Sequence, residues 1–252
     1  MYTARNYIKA ESLAQAHELN QRRANAILGG GCWMRMGERM YDTLIDLSGL
    51  GLDQIQDRGE EAALGAMVTL RQLETNFMLE KCFDGLFRKC TQHIVGVQFR
   101  NCATLGGSVY SRFGFSDIVT ALLALSCQVE LAGAGRIPLE EYVKQPRDRD
   151  VLAWVYVKKD GRPVAYETAR NSETDLPVLT CALSRVGESW RAVIGARPGS
   201  PRVVENSTWE GLEKQALALE YGDNMRGSAK YRRHLAGVLL KRCKEQLEVS
   251  GV

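Results

Sequence analysis

The chain has 252 residues, of which 45% are hydrophobic and 25% charged, a composition typical of a globular protein with one large or two modest domains. Its net charge of +3 is the small difference between 33 basic and 30 acidic side chains, which excludes the basic excess of a nucleic-acid-binding protein. No apolar run approaches the ~20 residues of a membrane span, and the first nine residues lack the apolar core of a signal peptide, so we expect a cytoplasmic protein.

Short strands and helices alternate in the first fifty residues. Strands are predicted at 6–8, 26–28 and 44–47, and Ser12 is a predicted cap for a helix over 13–21. This alternation is typical of a β-α-β-α-β unit, in which helices cover the strands.

The next hundred residues continue as a mixture of strands and helices. A hairpin is predicted around 57–60, a capping box at Thr69 and Gln72, one helix over 77–87 and a strand over 94–97. A helix follows at 117–125, then a strand at 127–131 and a turn at 132–135. The charged stretch 144–150, which contains a proline, is the predicted domain boundary.

An antiparallel sheet is predicted beyond the boundary, with strands at 151–157, 164–169, 177–185 and 190–194. Helices are predicted at 211–221 and 228–247. The last helix carries a basic face, which is either solvated or a docking surface for an acidic partner. Its members are Lys230, Arg232, Arg233, Lys241 and Arg242.

Two glycine-rich segments stand out, each following a predicted strand and flanked by small polar residues. The first is Ile27, Leu28, Gly29, Gly30, Gly31, Cys32, Trp33; the second contains Thr104, Gly106, Gly107 and Ser108. Glycines let the backbone lie directly against a ligand, and successive N–H groups can bind an anion. The pair predicts one ligand with two phosphates held from both sides; the alternative is two tight turns at domain corners.

Two residues near these segments have alternative interpretations. Asp117 either caps its helix or accepts a hydrogen bond from a ribose hydroxyl. Trp33 either stacks on an aromatic ring or belongs to the core. The sequence has neither G-x-x-x-x-G-K-[ST] nor a helix-opening G-x-G-x-x-G, which argues against a P-loop and a Rossmann site.

The distribution of cysteines and histidines argues against a metal centre in this chain. Seven cysteines lack any C-x-x-C spacing, so mostly buried thiols in a reducing compartment are expected. His17, His93 and His234 lack the spacing of metal ligands, and no catalytic acid–base group or nucleophile is predicted.

The motifs together resemble those of the FAD-binding (medium) subunit of molybdenum hydroxylases, the xanthine dehydrogenase and carbon monoxide dehydrogenase family. The family's A-G-G-T loop is similar to residues 29–32, and its R-N-x-A-T-[IL]-G-G-N loop to residues 100–108. Its S-D-x-x-x-A-L-L-A-L pattern is similar to 116–125, its I-G-A-x-x-T-L-x-x-L-E pattern to 64–74, and its R-x-S-A-x-Y-R-R pattern to 226–233. The similarity covers nearly the whole chain.

The resemblance implies an α+β fold. A two-lobed FAD-binding domain of the vanillyl-alcohol-oxidase (PCMH) type would span 1–147, with lobes of about 1–50 and 51–147 and FAD between them. A small C-terminal α+β domain with an antiparallel sheet, of the CO-dehydrogenase flavoprotein type, would span 148–252.

The resemblance also implies how FAD is bound, without a covalent bond. The pyrophosphate would contact N–H groups of 28–32 and of Gly106 and Gly107, with hydroxyl bonds from Thr104 and Ser108. Asp117 would hold the adenosine-side ribose and Leu152 would touch the isoalloxazine. Cys32 and Ser108 depart from the family's usual threonine and asparagine, and Arg170 is the basic residue where the family often has a lysine.

The implied function is electron transfer within an oxidoreductase complex. A molybdopterin-containing large subunit and a small subunit with [2Fe–2S] clusters would be partners, and electrons would pass through FAD to NAD+ or another acceptor. Two alternatives remain open: a stand-alone flavin oxidoreductase of the same fold, and a flavin-free scaffold subunit.

Overall fold

The computed structural model describes residues 1–249 of the chain, which form two compact units. The first comprises Met1–Gln72, Val97–Ser111 and Cys127–Val157; the second comprises Leu73–Gly96, Arg112–Ser126 and, among the described residues, 158–249. The units are thus interleaved along the chain, whereas the predicted domains 1–147 and 148–252 are contiguous. That division remains a prediction, and its residues 250–252 lie outside the described residues.

The strands and helices are numbered in chain order. The strands are β1 Thr3–Lys9, β2 Ala26–Leu28, β3 Met40–Asp46, β4 Ile55–Asp57, β5 Glu61–Gly65, β6 Cys127–Leu131, β7 Gly135–Pro138, β8 Leu152–Lys158, β9 Val164–Ala169, β10 Leu179–Val186, β11 Ser189–Gly195 and β12 Arg202–Asn206. The helices are α1 Leu13–Asn20, α2 Leu70–Thr75, α3 Phe77–Cys82, α4 Leu86–Thr91, α5 Val97–Arg100, α6 Leu105–Tyr110, α7 Asp117–Leu123, α8 Leu139–Tyr142, α9 Trp209–Leu217 and α10 Ala229–Val249.

The first sheet of the first unit is parallel, with strand order β1-β3-β2. Ser12 caps α1 as predicted, because its side chain accepts the N–H of Gln15. Ile45 at the sheet centre belongs to a core that includes Ala16 of α1. The prediction of a second α-helix, between β2 and β3 of a β-α-β-α-β unit, is wrong. One turn of 3-10 helix, Met34–Met36, joins these two strands.

The second sheet of the first unit has the strand order β4-β5-β8-β6-β7. The predicted hairpin is confirmed as β4 and β5, and the capping box is confirmed by bonds of 2.8 and 3.1 Å exchanged between Thr69 and Gln72. The strand predicted at 151–157 was assigned to the wrong sheet, since β8 pairs with β6 here. Sheet membership depends on long-range pairing, which local pattern does not determine.

The strand predicted at 94–97 is wrong. Val95 has a positive φ of 52°, and Val97 begins the short helix α5. The carbonyl of Phe99 accepts the N–H groups of Cys102 and Ala103, at 3.0 and 2.8 Å. This segment therefore satisfies backbone groups locally instead of through a neighbouring strand.

The single helix predicted over 77–87 is two helices, α3 and α4. Asp84 and Gly85 between them have φ values of 49° and 70°, in the left-handed region that interrupts a right-handed helix. The apolar spacing persists across the break, since Leu79, Phe83, Leu86 and Phe87 are all buried.

The second unit is built on an antiparallel sheet of order β12-β11-β10-β9, and β12 was not predicted. Alternate residues of β10, Leu179, Cys181 and Leu183, share a core with α9 and α10. The intervening side chains of β10 contact helix α7. The hydroxyls of Thr180 and Thr120 are hydrogen-bonded at 3.0 Å, and Ser184 donates to the carbonyl of Ala124, the residue after α7, at 2.6 Å.

The prediction that the basic face of α10 is solvated is wrong for one of its residues, Arg232. Arg232 is fully buried, whereas Arg233, Lys241 and Arg242 are exposed. The guanidinium of Arg232 donates to backbone carbonyls of Val178, Gly222 and Gly227, so burial is compensated by hydrogen bonds.

Candidate functional site

The first glycine segment begins where β2 ends, in the first unit. Gly31 has a φ of +68°, and its carbonyl accepts the N–H of Arg35, in the following 3-10 turn, at 3.0 Å. Within residues 1–249 the N–H groups of Gly30, Gly31 and Cys32 have no hydrogen-bond acceptor. This segment can therefore offer backbone donors to an anion.

The second glycine segment is the first turn of helix α6 rather than the predicted turn after a strand. Thr104 is its extended N-cap residue, and its hydroxyl accepts the N–H of Gly107 at 3.2 Å. The N–H of Gly106 donates to the carbonyl of Ala66 at 2.8 Å. A Cβ on Gly106 would lie 2.7 Å from that oxygen, so glycine is required for packing.

The two glycine segments meet inside the first unit. A Cβ placed on Gly30 would lie 1.7 Å from the carbonyl oxygen of Cys102, and one on Gly29 would lie 3.1 Å from the hydroxyl of Thr104. Only a residue without a side chain permits the backbone approach at Gly30. The structure thus brings together two glycine segments that are more than 70 residues apart in the sequence.

The predicted phosphate donors of the second segment already have partners within the chain. Gly106 and Gly107 donate their N–H groups to Ala66 and Thr104, as described, and the Ser108 hydroxyl donates to the carbonyl of Thr104 at 3.1 Å. Thr104 and Gly106 are buried, whereas Gly107 is exposed. Of these N–H groups, only that of Gly107 is bonded to a side chain that can rotate to release it.

The apolar residues predicted to line the site fall into two groups. Trp33 is 47% exposed, so its interpretation as a core residue is wrong and stacking on a ligand remains a prediction. Ile27 and Leu28 are half-buried on β2, and Ile27 packs on the core beneath the first sheet. Leu152 is buried on β8, next to Ala153, whose carbonyl accepts the N–H of Ala66.

Asp117 belongs to the second unit. The helix cap is Ser116, whose hydroxyl accepts the N–H of Val119, so the capping interpretation of Asp117 is wrong. The carboxylate of Asp117 is buried and accepts hydrogen bonds from the Tyr166 hydroxyl at 2.6 Å and the Arg170 guanidinium at 2.5 Å. Burial raises the pKa of Asp117, against the opposing effects of Arg170 and Tyr166.

Tyr166 was not predicted as a partner of Asp117, and Arg170 was noted only as a basic residue. Tyr166 is the third residue of β9 and Arg170 follows its last residue, Ala169; in an extended chain, residues four apart lie on one face. That periodicity could have grouped them with each other. Their pairing with Asp117, about fifty residues away, needs the tertiary fold.

No group of three or more histidine, cysteine, aspartate or glutamate side chains in residues 1–249 could hold a metal ion. Within the same range no helix is both long enough and apolar enough to cross a bilayer.

The family model described as "FAD binding domain in molybdopterin dehydrogenase" matches residues 2–156. The chain belongs to the family of FAD-binding medium subunits of molybdopterin dehydrogenases. The matched region contains the whole first unit apart from its terminal residues, Met1 and Val157, and with it both glycine segments.

Similar proteins support this membership in the molybdopterin dehydrogenase family. The chain is 26% identical over 250 residues to the uncharacterized protein YgfM of Escherichia coli K12, covering 93% of each. It is 26% identical over 236 residues to the nicotine 6-hydroxylase medium subunit of Paenarthrobacter nicotinovorans, covering 83% of each. A structure of reconstituted CO dehydrogenase from Oligotropha carboxidovorans shares the mixed α+β fold, with a TM-score of 0.83, 22% identity and 97% coverage of both chains.

Proposed function

We propose that this chain binds FAD without a covalent bond, with the pyrophosphate against the two glycine segments. The observation that carries the proposal is the contact of Gly30 with the Cys102 carbonyl, because it joins both segments into one surface. The family membership of residues 2–156 supports FAD as the ligand. In this proposal the fold keeps the two-lobed vanillyl-alcohol-oxidase architecture expected from the sequence.

The residues present fit a diphosphate in one specific respect. The N–H groups of Gly30, Gly31 and Cys32 lack acceptors within residues 1–249, and a pyrophosphate supplies several. Cys32 replaces the family's usual threonine, and its thiol lies 3.7 Å from the carbonyl of Gly30, so the contact to FAD at this position is the backbone N–H. Ser108 adds a hydroxyl one residue beyond Gly107.

The remaining predicted contacts are part of the same proposal. Leu152 touches the isoalloxazine, and Trp33 and Ile27 border the ligand. A ribose contact of Asp117, in the second unit, is kept as what the family resemblance implies. Asp117 is already bonded to Tyr166 and Arg170, so a ribose hydroxyl would share its carboxylate with them or displace one. A carboxylate has two oxygens and about four lone-pair sites, which permits sharing.

We infer that the role of this chain is electron transfer in a molybdenum hydroxylase complex. FAD, when bound, supplies the chemistry that accepts electrons and passes them to NAD+ or another acceptor, while the protein binds and orients it. The partners are a large molybdopterin subunit and a small [2Fe–2S] subunit, as the designation "medium subunit" of the nicotine 6-hydroxylase relative suggests. No acid–base residue of this chain is assigned a catalytic role.

The experiment that tests the FAD site compares Gly107→Asp with Gly107→Asn. Gly107 is exposed at the third position of α6, where an acidic residue suits the helix dipole, so both variants should fold. The two side chains have nearly the same size and differ in charge. A carboxylate close to the pyrophosphate should weaken FAD binding by about tenfold or more relative to asparagine.

FAD content of the purified variants and the dissociation constant by flavin fluorescence are the measurements. Circular dichroism and unfolding midpoints serve as folding controls. Equal FAD affinity in the two folded variants would place the pyrophosphate away from Gly107 and contradict this part of the proposal. Failure of the parent chain to take up FAD at all would support the scaffold alternative.

A further inference from the structure

Two of the seven cysteines lie on either side of the contact between the glycine segments. Cys102 supplies the carbonyl oxygen against which Gly30 packs, and Cys32 is two residues beyond Gly30. The Cys32 thiol turns back, with Sγ 3.7 Å from the carbonyl oxygen of Gly30. Gly30 is therefore in contact with both cysteine residues, through the backbone of one and the side chain of the other.

Both thiols are free and reachable from solvent. Cys102 is exposed and Cys32 is half-buried, whereas Cys90, Cys127, Cys181 and Cys243 are buried. Burial raises the pKa of the Cys32 thiol, and the nearby charge of Cys102 raises it further.

We propose that Cys32 and Cys102 are an oxidisable dithiol that forms an intramolecular disulfide across the two glycine segments. The proposal concerns the protein's own side chains and does not depend on FAD binding. It assigns a modification site to Cys32, the position where the family's usual residue is threonine.

The oxidant in this proposal is hydrogen peroxide, and the exposed Cys102 reacts first. Its thiolate sulfur attacks the peroxide, an S–O bond forms, the O–O bond breaks, and hydroxide leaves as water after protonation, giving a sulfenic acid. The Cys32 sulfur then attacks the sulfenic sulfur, the S–S bond forms, the S–O bond breaks, and a second water leaves. In total the two thiols lose two electrons and two protons, and the peroxide is reduced to two water molecules.

The glycine contact brings the two cysteine-bearing segments against each other. A disulfide requires Cα atoms within about 7 Å, a distance that few residues far apart in sequence reach by chance. Here Gly30 brings one backbone against the other without an intervening side chain. The bond would close a long loop and restrict the unfolded chain, so the oxidised protein should unfold at a higher temperature than the reduced one.

The test treats the full-length chain with hydrogen peroxide, blocks free thiols, digests with trypsin without reduction, and maps the peptides by mass spectrometry. Cys32 and Cys102 lie on separate tryptic peptides, 24–35 and 101–112, each with one cysteine. We expect these two peptides to appear joined and lighter by two hydrogens than their sum. Dithiothreitol should separate them and restore both thiols.

Single variants give matched controls. Cys32→Ser and Cys102→Ser should each abolish the joined peptide and the rise in unfolding temperature on oxidation. Cys82→Ser removes another half-buried thiol, in the second unit, and should leave both effects intact. If a variant fails to fold, the peptide map of the parent chain still tests whether Cys32 and Cys102 are joined.

Three outcomes would overturn the proposal. Cys32 could remain alkylatable while Cys102 is converted to a sulfinic acid, the joined peptide could arise only between two chains, or Cys102 could be joined to a cysteine other than Cys32. Mixing heavy-isotope-labelled and unlabelled protein before oxidation distinguishes a bond within one chain from a bond between chains.

Discussion

Asp150 is surrounded by hydrogen-bond donors within the first unit. Its carboxylate accepts the N–H groups of Gly133 and Ala134 at 2.9 Å and of Val151 at 2.7 Å, and lies 2.9 Å from Nδ1 of His17. Burial by itself raises the pKa of Asp150, but these donors outweigh it and hold the pKa below the ordinary value of 3.8. Asp150 therefore ties α1 to the turn between β6 and β7 through one ionised group.

Replacement of Asp150 by asparagine should lower the free energy of unfolding by about 2 kcal/mol at neutral pH, because hydrogen bonds to a charged group are lost. A carboxyl group whose pKa is lower in the folded than in the unfolded state contributes stability above 3.8 and loses it as the pH falls through the folded-state pKa. The difference between the parent chain and Asp150→Asn should thus shrink below pH 3.8.

Urea unfolding of both proteins at a series of pH values is the measurement. Asp53→Asn, at an exposed loop position, is the matched control and should change stability by less than about 0.5 kcal/mol. A difference between parent and Asp150→Asn that does not vary with pH would show that the charge of Asp150 contributes nothing.

Helix α10 is anchored through the buried guanidinium of Arg232. Nε donates to the carbonyl of Val178 at 3.0 Å, Nη1 to those of Gly222 at 2.6 Å and Gly227 at 2.5 Å, and Nη2 to Asn224 Oδ1 at 2.5 Å. The planar guanidinium reaches these separate acceptors from three nitrogen atoms. The Arg232 side chain thereby connects the start of α10 to the turn before it and to Val178, the residue before β10.

Arg232→Lys should destabilise the protein by about 3 kcal/mol or more, since a single ammonium group leaves buried carbonyls without donors. Arg233→Lys, the same substitution at the exposed neighbouring position, is the control and should change stability by less than about 0.5 kcal/mol. Thermal and urea unfolding of both variants are the measurements. Equal stability of the two variants would refute the anchoring role of Arg232.

At the scale of the whole molecule, the proposed function predicts that FAD stabilises the chain more than FMN does. A ligand at about 100 times its Kd adds about 2.7 kcal/mol, which for a chain of this size raises the unfolding temperature by about 5–11 °C. FMN has one phosphate and no adenylate, so it cannot occupy a diphosphate site fully. Thermal unfolding with each nucleotide, at matched concentrations, is the measurement, and equal shifts would contradict the diphosphate assignment.

Local chemistry made several elements of this fold predictable from the sequence. The capping box of Thr69 and Gln72, the cap at Ser12 and the hairpin of β4 and β5 depend on residues only a few positions apart, so their hydrogen bonds are nearly fixed by residue type and spacing. The glycine segments were recognisable for the same reason. Predictions failed where a segment with a preference for strand conformation has no neighbouring strand to pair with, as in the apolar run 94–97.

Residue types and short-range spacing sufficed for the family, for the two glycine segments as the candidate site and for several helix starts, because motifs and caps are encoded within short stretches. Long-range packing was needed to show that Gly30 packs on Cys102, that Arg232 is buried, that Asp117 pairs with Arg170, and that β8 joins the five-stranded sheet. Each of these depends on residues far apart in sequence, and their contact free energies become favourable only after the intervening chain has folded.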